Sequence, residues 1–305
     1  MGYYTGTPQI NIPLYTIEEA NISLPISLSY HASGIKVEEV ASWVGLGWSL
    51  NAGGVISRTM IGKEDELNIG SNSDYRTIGV PNPNISLNSF QNFVVKGEDD
   101  DADEIKQIVD GTYDLEPDIF HYNFAGYSGK FVIEPFASTE SKIEVVTIPV
   151  NPALKIEAEI KNTIIDKWII TDDKGFVYTF GGTNAKETTT THSFDPHGTP
   201  GNTNGEINYT SGWFLTSISS PYSSEDITFT YTDDRIVYDQ KKSEIKYASL
   251  TPSSDCGTME PKNTWTNTEA DTKKLESIFF SKGAIHFHKT QEGRKDLAER
   301  FWLCL

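Results

Sequence analysis

Apolar residues recur at every second position over much of this chain. Ile22, Leu24, Ile26, Leu28 and Tyr30 alternate with Ser23, Ser27 and Ser29, which is the period of a half-buried strand. Ile10, Ile12 and Leu14 repeat the pattern just upstream, with Glu18-Glu19-Ala20-Asn21 between the two runs. Together they predict an N-terminal hairpin. Pro13 and Pro25 have no N–H to give a ladder, so each is expected at a sheet edge or bulge. Phe120, Tyr122 and Phe124 alternate, Tyr127-Ser128-Gly129-Lys130 is expected to turn, and Phe131 and Ile133 alternate after it. Trp168-Ile169-Ile170 and Phe176-Val177-Tyr178-Thr179-Phe180 flank Asp172-Asp173-Lys174-Gly175, where Gly175 suits the positive φ of a hairpin turn. Ile227, Phe229 and Tyr231 form another alternating run, and Ile285 and Phe287 a late one. The only helical stretch expected is a short one over residues 296–303.

These runs predict an all-β, mostly antiparallel fold, a large sheet or sandwich with long loops and little helix. No repeat of roughly 20 to 50 residues stands out, which argues against a propeller or solenoid. Three stretches read as loops. Residues 64–92 are rich in Asn, Ser, Gly and Pro, residues 97–104 are acidic, and residues 181–208 mix Thr, Gly, Asn and His with almost no apolar side chains. The chain divides provisionally into an N-terminal β module, 1–180, and a continuing sheet region, 181–305.

Charge and composition narrow the partners. Twenty-five Lys and Arg oppose 43 Asp and Glu, for a net charge of −18 over 305 residues. A nucleic-acid grip needs cations to displace phosphate counterions, so that class is excluded. An anionic membrane surface is excluded for the same reason. No apolar run reaches the ~18 residues of a membrane helix, and 11% aromatic residues exceed what a disordered acidic chain carries. Two cysteines, Cys256 and Cys304, exclude a disulfide framework. The first residues lack the basic and apolar stretches of a signal peptide.

The segment from Trp43 to Arg58 concentrates Trp43, Gly45, Gly47, Trp48, Gly53 and Gly54. Glycine admits close backbone approach and tryptophan buries a large ring. Tight structural packing is the reading favoured for these residues and for Trp213. An aromatic sugar-binding platform is the alternative. Gly45-Leu46-Gly47-Trp48-Ser49-Leu50, with Tyr4 to Tyr15 and Leu24 to Ile35, resembles the N-terminal region of secreted bacterial RHS (YD-repeat) proteins. It is also similar to the opening module of the B component of insecticidal toxin complexes and of the Salmonella virulence plasmid B protein. Glu116-Pro117-Asp118-Ile119-Phe120, Gly126 to Phe131, Gly175 to Gly181, Gly212 to Ile218 and Gln291 to Leu297 extend the resemblance over most of the chain. It implies a non-catalytic β module at the start of a long secreted or cell-surface protein. In that family, repeats follow and wind into a shell that can enclose a toxin or effector. Residues 299–305 depart from the pattern, so the chain is expected to be a piece of something longer. The implied partners are downstream repeats or a partner chain joined through sheet edges.

Candidate chemistry is sparse. His192, Asp195 and His197 offer transition-metal ligands in one stretch, but without a fourth ligand. His286 and His288, two apart, share one face of a strand, and a solvated face is the simpler reading. Asp99, Asp100, Asp101, Asp103 and Glu104 offer oxygen ligands for Ca²⁺, though not at EF-hand spacing. No cofactor beyond that ion is implied. No nucleophile elbow, phosphate loop, zinc-protease helix or dinucleotide fingerprint occurs. The residues therefore leave three classes open: a non-enzymatic structural module, a carbohydrate-binding or adhesin-like module, and a glycoside hydrolase with dispersed carboxylates.

Overall fold

The computed structural model describes residues 8–31, 34, 39–62, 64–68, 117–134, 142–194, 204–245 and 262–288. They form an all-β, antiparallel protein whose one helical element is a 3-10 turn at Asp65–Asn68. The expected terminal helix over 296–303 lies outside them, as do the acidic run 97–104 and nearly all of the stretch 64–92.

The N-terminal hairpin forms as the alternation predicts. Strand β1 (Gln9–Glu19) pairs with β2 (Ile22–His31), and β3 (Trp48–Asn51) joins the far side of β2. Strands run right up to a two-residue turn, Ala20-Asn21, with φ of 45° and 66°, the pair of positive values that matches strand twist. Pro13 sits at the bulge between Pro13 and Tyr15. Pro25 lies beyond the four β2 residues that pair with β3, at a locally free edge. Ile17, Ile22, Leu24 and Ile26 are buried, whereas residues 10–16 are all exposed.

The second sheet has twelve strands. One leaf comprises β4 (Gly54–Thr59), β5 (Ile119–Phe124), β6 (Tyr127–Ile133) and β7 (Val145–Ile148). A second leaf comprises β8 (Leu154–Lys161), β9 (Ile164–Asp172) and β10 (Val177–Gly181). After β11 (Lys186–Phe194) comes β12 (Asn204–Ser219), which pairs with β4, β10 and β11 and so joins the leaves. Aromatic rings fill the space between leaves. Phe120 stacks on Phe131 at 5.1 Å, and Trp168 meets both edge-on at 5.2 and 4.9 Å. Trp213 approaches Trp168 at 6.0 Å, and Phe124 meets Tyr178 and Phe180. Such offset and edge-on pairs add to the large area each ring buries. The core draws on both sides of residue 180, which β10 itself spans.

Two expectations need correction. The turn placed at Tyr127 to Lys130 falls at Ala125-Gly126, with φ of 45° and 85°, and residues 127–133 are strand. Gly129 is not a turn glycine. It lies opposite Tyr122, whose hydroxyl would be 2.5 Å from a Cβ there; the glycine makes room for a cross-strand ring. The stretch 181–208 is not a loop throughout either, since β11 occupies Lys186–Phe194 and β12 begins at Asn204. Threonine is β-branched and suits a strand without being apolar. Thr189 is buried and donates to Ser211 Oγ at 2.7 Å, which in turn donates to Glu187 Oε1 at 2.8 Å.

The long hairpin of β13 (Ile227–Ile245) and β14 (Lys262–Phe280) extends well beyond the alternating run at Ile227, Phe229 and Tyr231. Its outer part is held by cross-strand polar pairs rather than apolar alternation. Lys274 Nζ meets Asp234 at 2.7 Å, Asn267 donates to Asp239 at 2.7 Å, and Arg235 pairs with Glu269. A short β15 (Gly283–His286) closes on β14.

Gly181 has φ of 87°, and a Cβ there would meet Trp213 Cδ1 and the Asp166 carbonyl at 2.5 and 2.6 Å. Gly181→Ala is expected to cost about 2–3 kcal/mol, from strain and overpacking together. Gly126→Ala has a similar φ but nothing within 4 Å and is expected to cost about 1 kcal/mol. Urea unfolding of both variants checks the difference; equal losses would mean that backbone conformation alone matters.

Candidate functional site

The most unusual chemistry in the molecule sits where β4 ends. Ile56 and Arg58, two apart on β4, both point inward. The Arg58 side chain is fully enclosed. Its guanidinium lies 4.9 Å from the centre of the Phe120 ring and 5.2 Å from that of Trp213, a cation–π setting strengthened by the absence of water. Nη1 meets Glu64 Oε1 at 3.1 Å and Nη2 meets Glu66 Oε2 at 2.5 Å. Nε lies 3.5 Å from Asp118 Oδ2, an ion contact too long for a hydrogen bond. Asp65 completes the group, so four buried carboxyl groups share one buried cation.

Backbone amides supply the other partners. Asp118 Oδ1 accepts from Ile61 N at 2.9 Å and Oδ2 from Asp65 N at 3.4 Å. Asp65 Oδ2 accepts from Asp118 N at 2.9 Å, so the two aspartates bond each other's backbone. Glu64 Oε1 also accepts from Thr210 N on β12 at 3.3 Å. Asp65 Oδ1 and Glu66 Oε1 are buried with no hydrogen-bond partner among the described residues. The cluster thus ties β4, the 3-10 turn, the start of β5 and β12 at one point.

Burial sets its protonation. Desolvation, with the Asp118 charge beside it, pushes the Asp65 carboxyl up to about 8. Desolvation also raises Asp118, to about 6, against the lowering effect of Arg58. Glu64 is raised by burial and by Glu66. Burial alone would lower Arg58, but the Glu66, Asp118 and Glu64 carboxylates outweigh it and hold the guanidinium above its ordinary value. These groups bind one another and the backbone, so the arrangement fastens chain to chain.

The sequence-selected residues fall elsewhere. Trp48 pairs with Tyr30 across β3 and β2, rings 5.1 Å apart, and Gly47 lies beneath the Tyr30 ring. Gly45 starts the turn that Trp48 N closes at 3.2 Å. Trp43 is 38% exposed, edge-on to Phe287. Gly53 faces Phe229 and Gly54 sits against Phe124 Cβ. Trp213 is buried on β12 and donates from Nε1 to the Ile165 carbonyl at 3.0 Å. Of all these, only Trp213 touches the Arg58 cluster.

His192 lies on β11, while Asp195 and His197 fall outside the described residues. So do Asp99, Asp100, Asp101, Asp103 and Glu104. His286 and His288 are exposed, their rings 6.5 Å apart, and His286 Nδ1 shares a 2.8 Å hydrogen bond with Ser277 Oγ. Among the described residues, no group of three or more His, Cys, Asp or Glu side chains is arranged to hold a metal ion. None of the described helices is long and apolar enough to cross a membrane.

A second feature is the condition of the sheet edges. Among the described residues, β1 pairs only with β2, and β8 only with β9. Strand β8 carries Lys155, Glu157, Glu159 and Lys161, charges of the kind that blunt an edge. Residues 9–17 of β1 carry none, and Ile10, Ile12, Leu14 and Tyr15 are 42–54% exposed.

No family model matches the chain, and neither a curated protein nor a solved structure is significantly similar to it.

Removing the cation leaves buried carboxylates facing one another. Arg58→Ala is expected to destabilise the fold by about 3–5 kcal/mol at neutral pH. Acid should reduce that loss, because protonated carboxyls no longer need Arg58. Denaturant titrations of the variant at neutral and mildly acidic pH check both points. A loss independent of pH would assign Arg58 a packing role only.

Proposed function

We propose that the chain is a non-catalytic β module of the RHS (YD-repeat) type, which scaffolds a shell by offering sheet edges to further strands. The shell would stand at or outside the cell surface and help enclose a toxin or effector. The observation that carries this reading is β1, a strand with an unpaired side among the described residues, no charge over residues 9–17 and an exposed apolar row. Free backbone N–H and C=O groups along such a strand template the addition of another. The charged strand β8 makes the contrast within the same molecule, because there the edge carries the usual protection. The quoted motifs from Tyr4 to Leu297 support the family reading, and the absence of any recognised catalytic motif supports a physical rather than a chemical role.

A free template strand should pair with whatever strand is at hand. In the isolated chain, sedimentation velocity is expected to show association that grows with concentration. Ile12→Lys together with Leu14→Lys should shift the protein to monomer without changing its far-ultraviolet circular dichroism. A wild-type chain that stays monomeric at the highest attainable concentration would contradict the scaffold reading.

A further inference from the structure

The Arg58 cluster has more carboxyl groups than its single cation can balance. If all four were ionised, one guanidinium would face four negative charges in a site where the five residues are at most 8% exposed. Arg58 is in ionic contact with Glu64, Glu66 and Asp118. Asp65 has no ion pair among the described contacts, and its Oδ1 has no hydrogen-bond partner.

Among the described residues, no second cation faces the cluster. On β12, Tyr209 is within electrostatic reach of Arg58, Asp118, Glu187 on β11 and Tyr238 on β13, and none of these beyond Arg58 is a basic residue. Strand β9 also borders the 3-10 turn. Its Lys167 is paired with Glu159, and its Asp166 with Lys186 on β11. Metal ions are no better served, since no such ligand group exists among the described residues. A proton needs no such ligand group, and on a carboxylate it removes one of the excess charges.

We propose that the cluster is a proton-tightened latch: Asp65 carries a proton in the closed state, and losing it loosens the junction between Asp65 and Asp118 at the start of β5. The position gives this mechanical meaning. Asp65 and Asp118 are 53 residues apart in sequence, yet each accepts a hydrogen bond from the other's backbone N–H. Ionising Asp65 places a second full negative charge beside Asp118, with Arg58 already shared among three carboxylates. Repulsion then acts across the two backbone bonds that hold the junction.

The direction of the pH effect follows. Asp65 moves from an ordinary 3.8 to about 8 on folding, so the native state keeps a proton that the unfolded chain has released. Its stabilising contribution is complete in acid, declines as pH rises from about 4, and is gone above about 8. Asp118, raised to about 6, acts in the same sense over the lower part of that window. Arg58 stays charged throughout.

The experiment measures urea unfolding from about pH 5 to about pH 9 for the wild type and for Asp65→Asn, which presents an uncharged side chain at every pH. For the wild type, the Asp65 term is expected to raise the unfolding constant by up to roughly tenfold per pH unit below pH 8. Asp65→Asn should lose that part of the slope. Parallel curves for the two proteins would overturn the proposal. Should Asp65→Asn fail to fold, carbon NMR of aspartate-labelled wild type decides. One carboxyl carbon titrating near pH 8 supports the latch, and a full set titrating in the ordinary acidic range overturns it.

Discussion

A guanidinium without water organises the centre of this molecule. Arg58 is enclosed between Phe120 and Trp213 and reaches three carboxylates. Taking an ion out of water costs several kcal/mol, and only close partners on most of its nitrogens offset that cost. Those partners come from segments far apart in the chain: the turn after β4, the residue before β5, and through Glu64 the amide of Thr210 on β12. The charge therefore fixes how β4, the turn after it, the start of β5 and β12 meet. Apolar contacts alone would tolerate some sliding of these segments; directed hydrogen bonds to a buried ion group oppose it.

The aromatic core and the cluster depend on each other. Phe120 and Trp213 line Arg58 on one side and pack against Trp168 on the other. Trp213 can reach the cluster because Gly181 leaves room for its ring and Ile165 accepts its N–H. The N-terminal three-stranded sheet is fastened to this body at the hairpin turn and again where Trp43, between β2 and β3, meets Phe287. Its turn is fastened through Ser220 to the Ala20 carbonyl and through Ser281 to Glu19, while residues 10–16 stand exposed. The buried residues of the hairpin, Ile17, Ile22, Leu24 and Ile26, lie toward the turn, while residues 10–16 of β1 are exposed.

Much of the fold was legible because burial is one-sided. β2, β5 and β9 show alternation, and Asp172-Asp173-Lys174-Gly175 turns as its residues demand, with Asp172 Oδ1 accepting from Lys174 N and Phe176 N; β1 alternates in sequence, but its Ile10, Ile12 and Leu14 are exposed. Where strands are polar on both faces the signal fails. β11 is a run of threonines, and the outer part of β13 and β14 is built from ion pairs and amides, so hydrophobic period gives no warning of either. The turns at Ala20-Asn21 and Asn162-Thr163 lack the glycine that marks such hairpins, although both take positive φ. The Arg58 site was missed for a related reason. Glu64 to Glu66 look like ordinary loop acids, and Asp118 lies more than fifty residues away. The available clue was phase: Arg58 stands two residues after Ile56 on β4, and Asp118 stands two before Phe120, in the inward phase of β5 just ahead of its first residue. An ionic residue in an apolar phase invites a search for its buried partner.

The central claim is that the cluster binds distant strands into one cooperative unit. Native-state hydrogen exchange of the Asp118 and Thr210 amides tests it directly, because both donate to carboxylates of the cluster. At mildly acidic pH, where Asp65 keeps its proton, both amides are expected to exchange only with global unfolding, at the same free energy as backbone amides of the aromatic core. Exchange of either through a local opening several kcal/mol below that level would contradict the account.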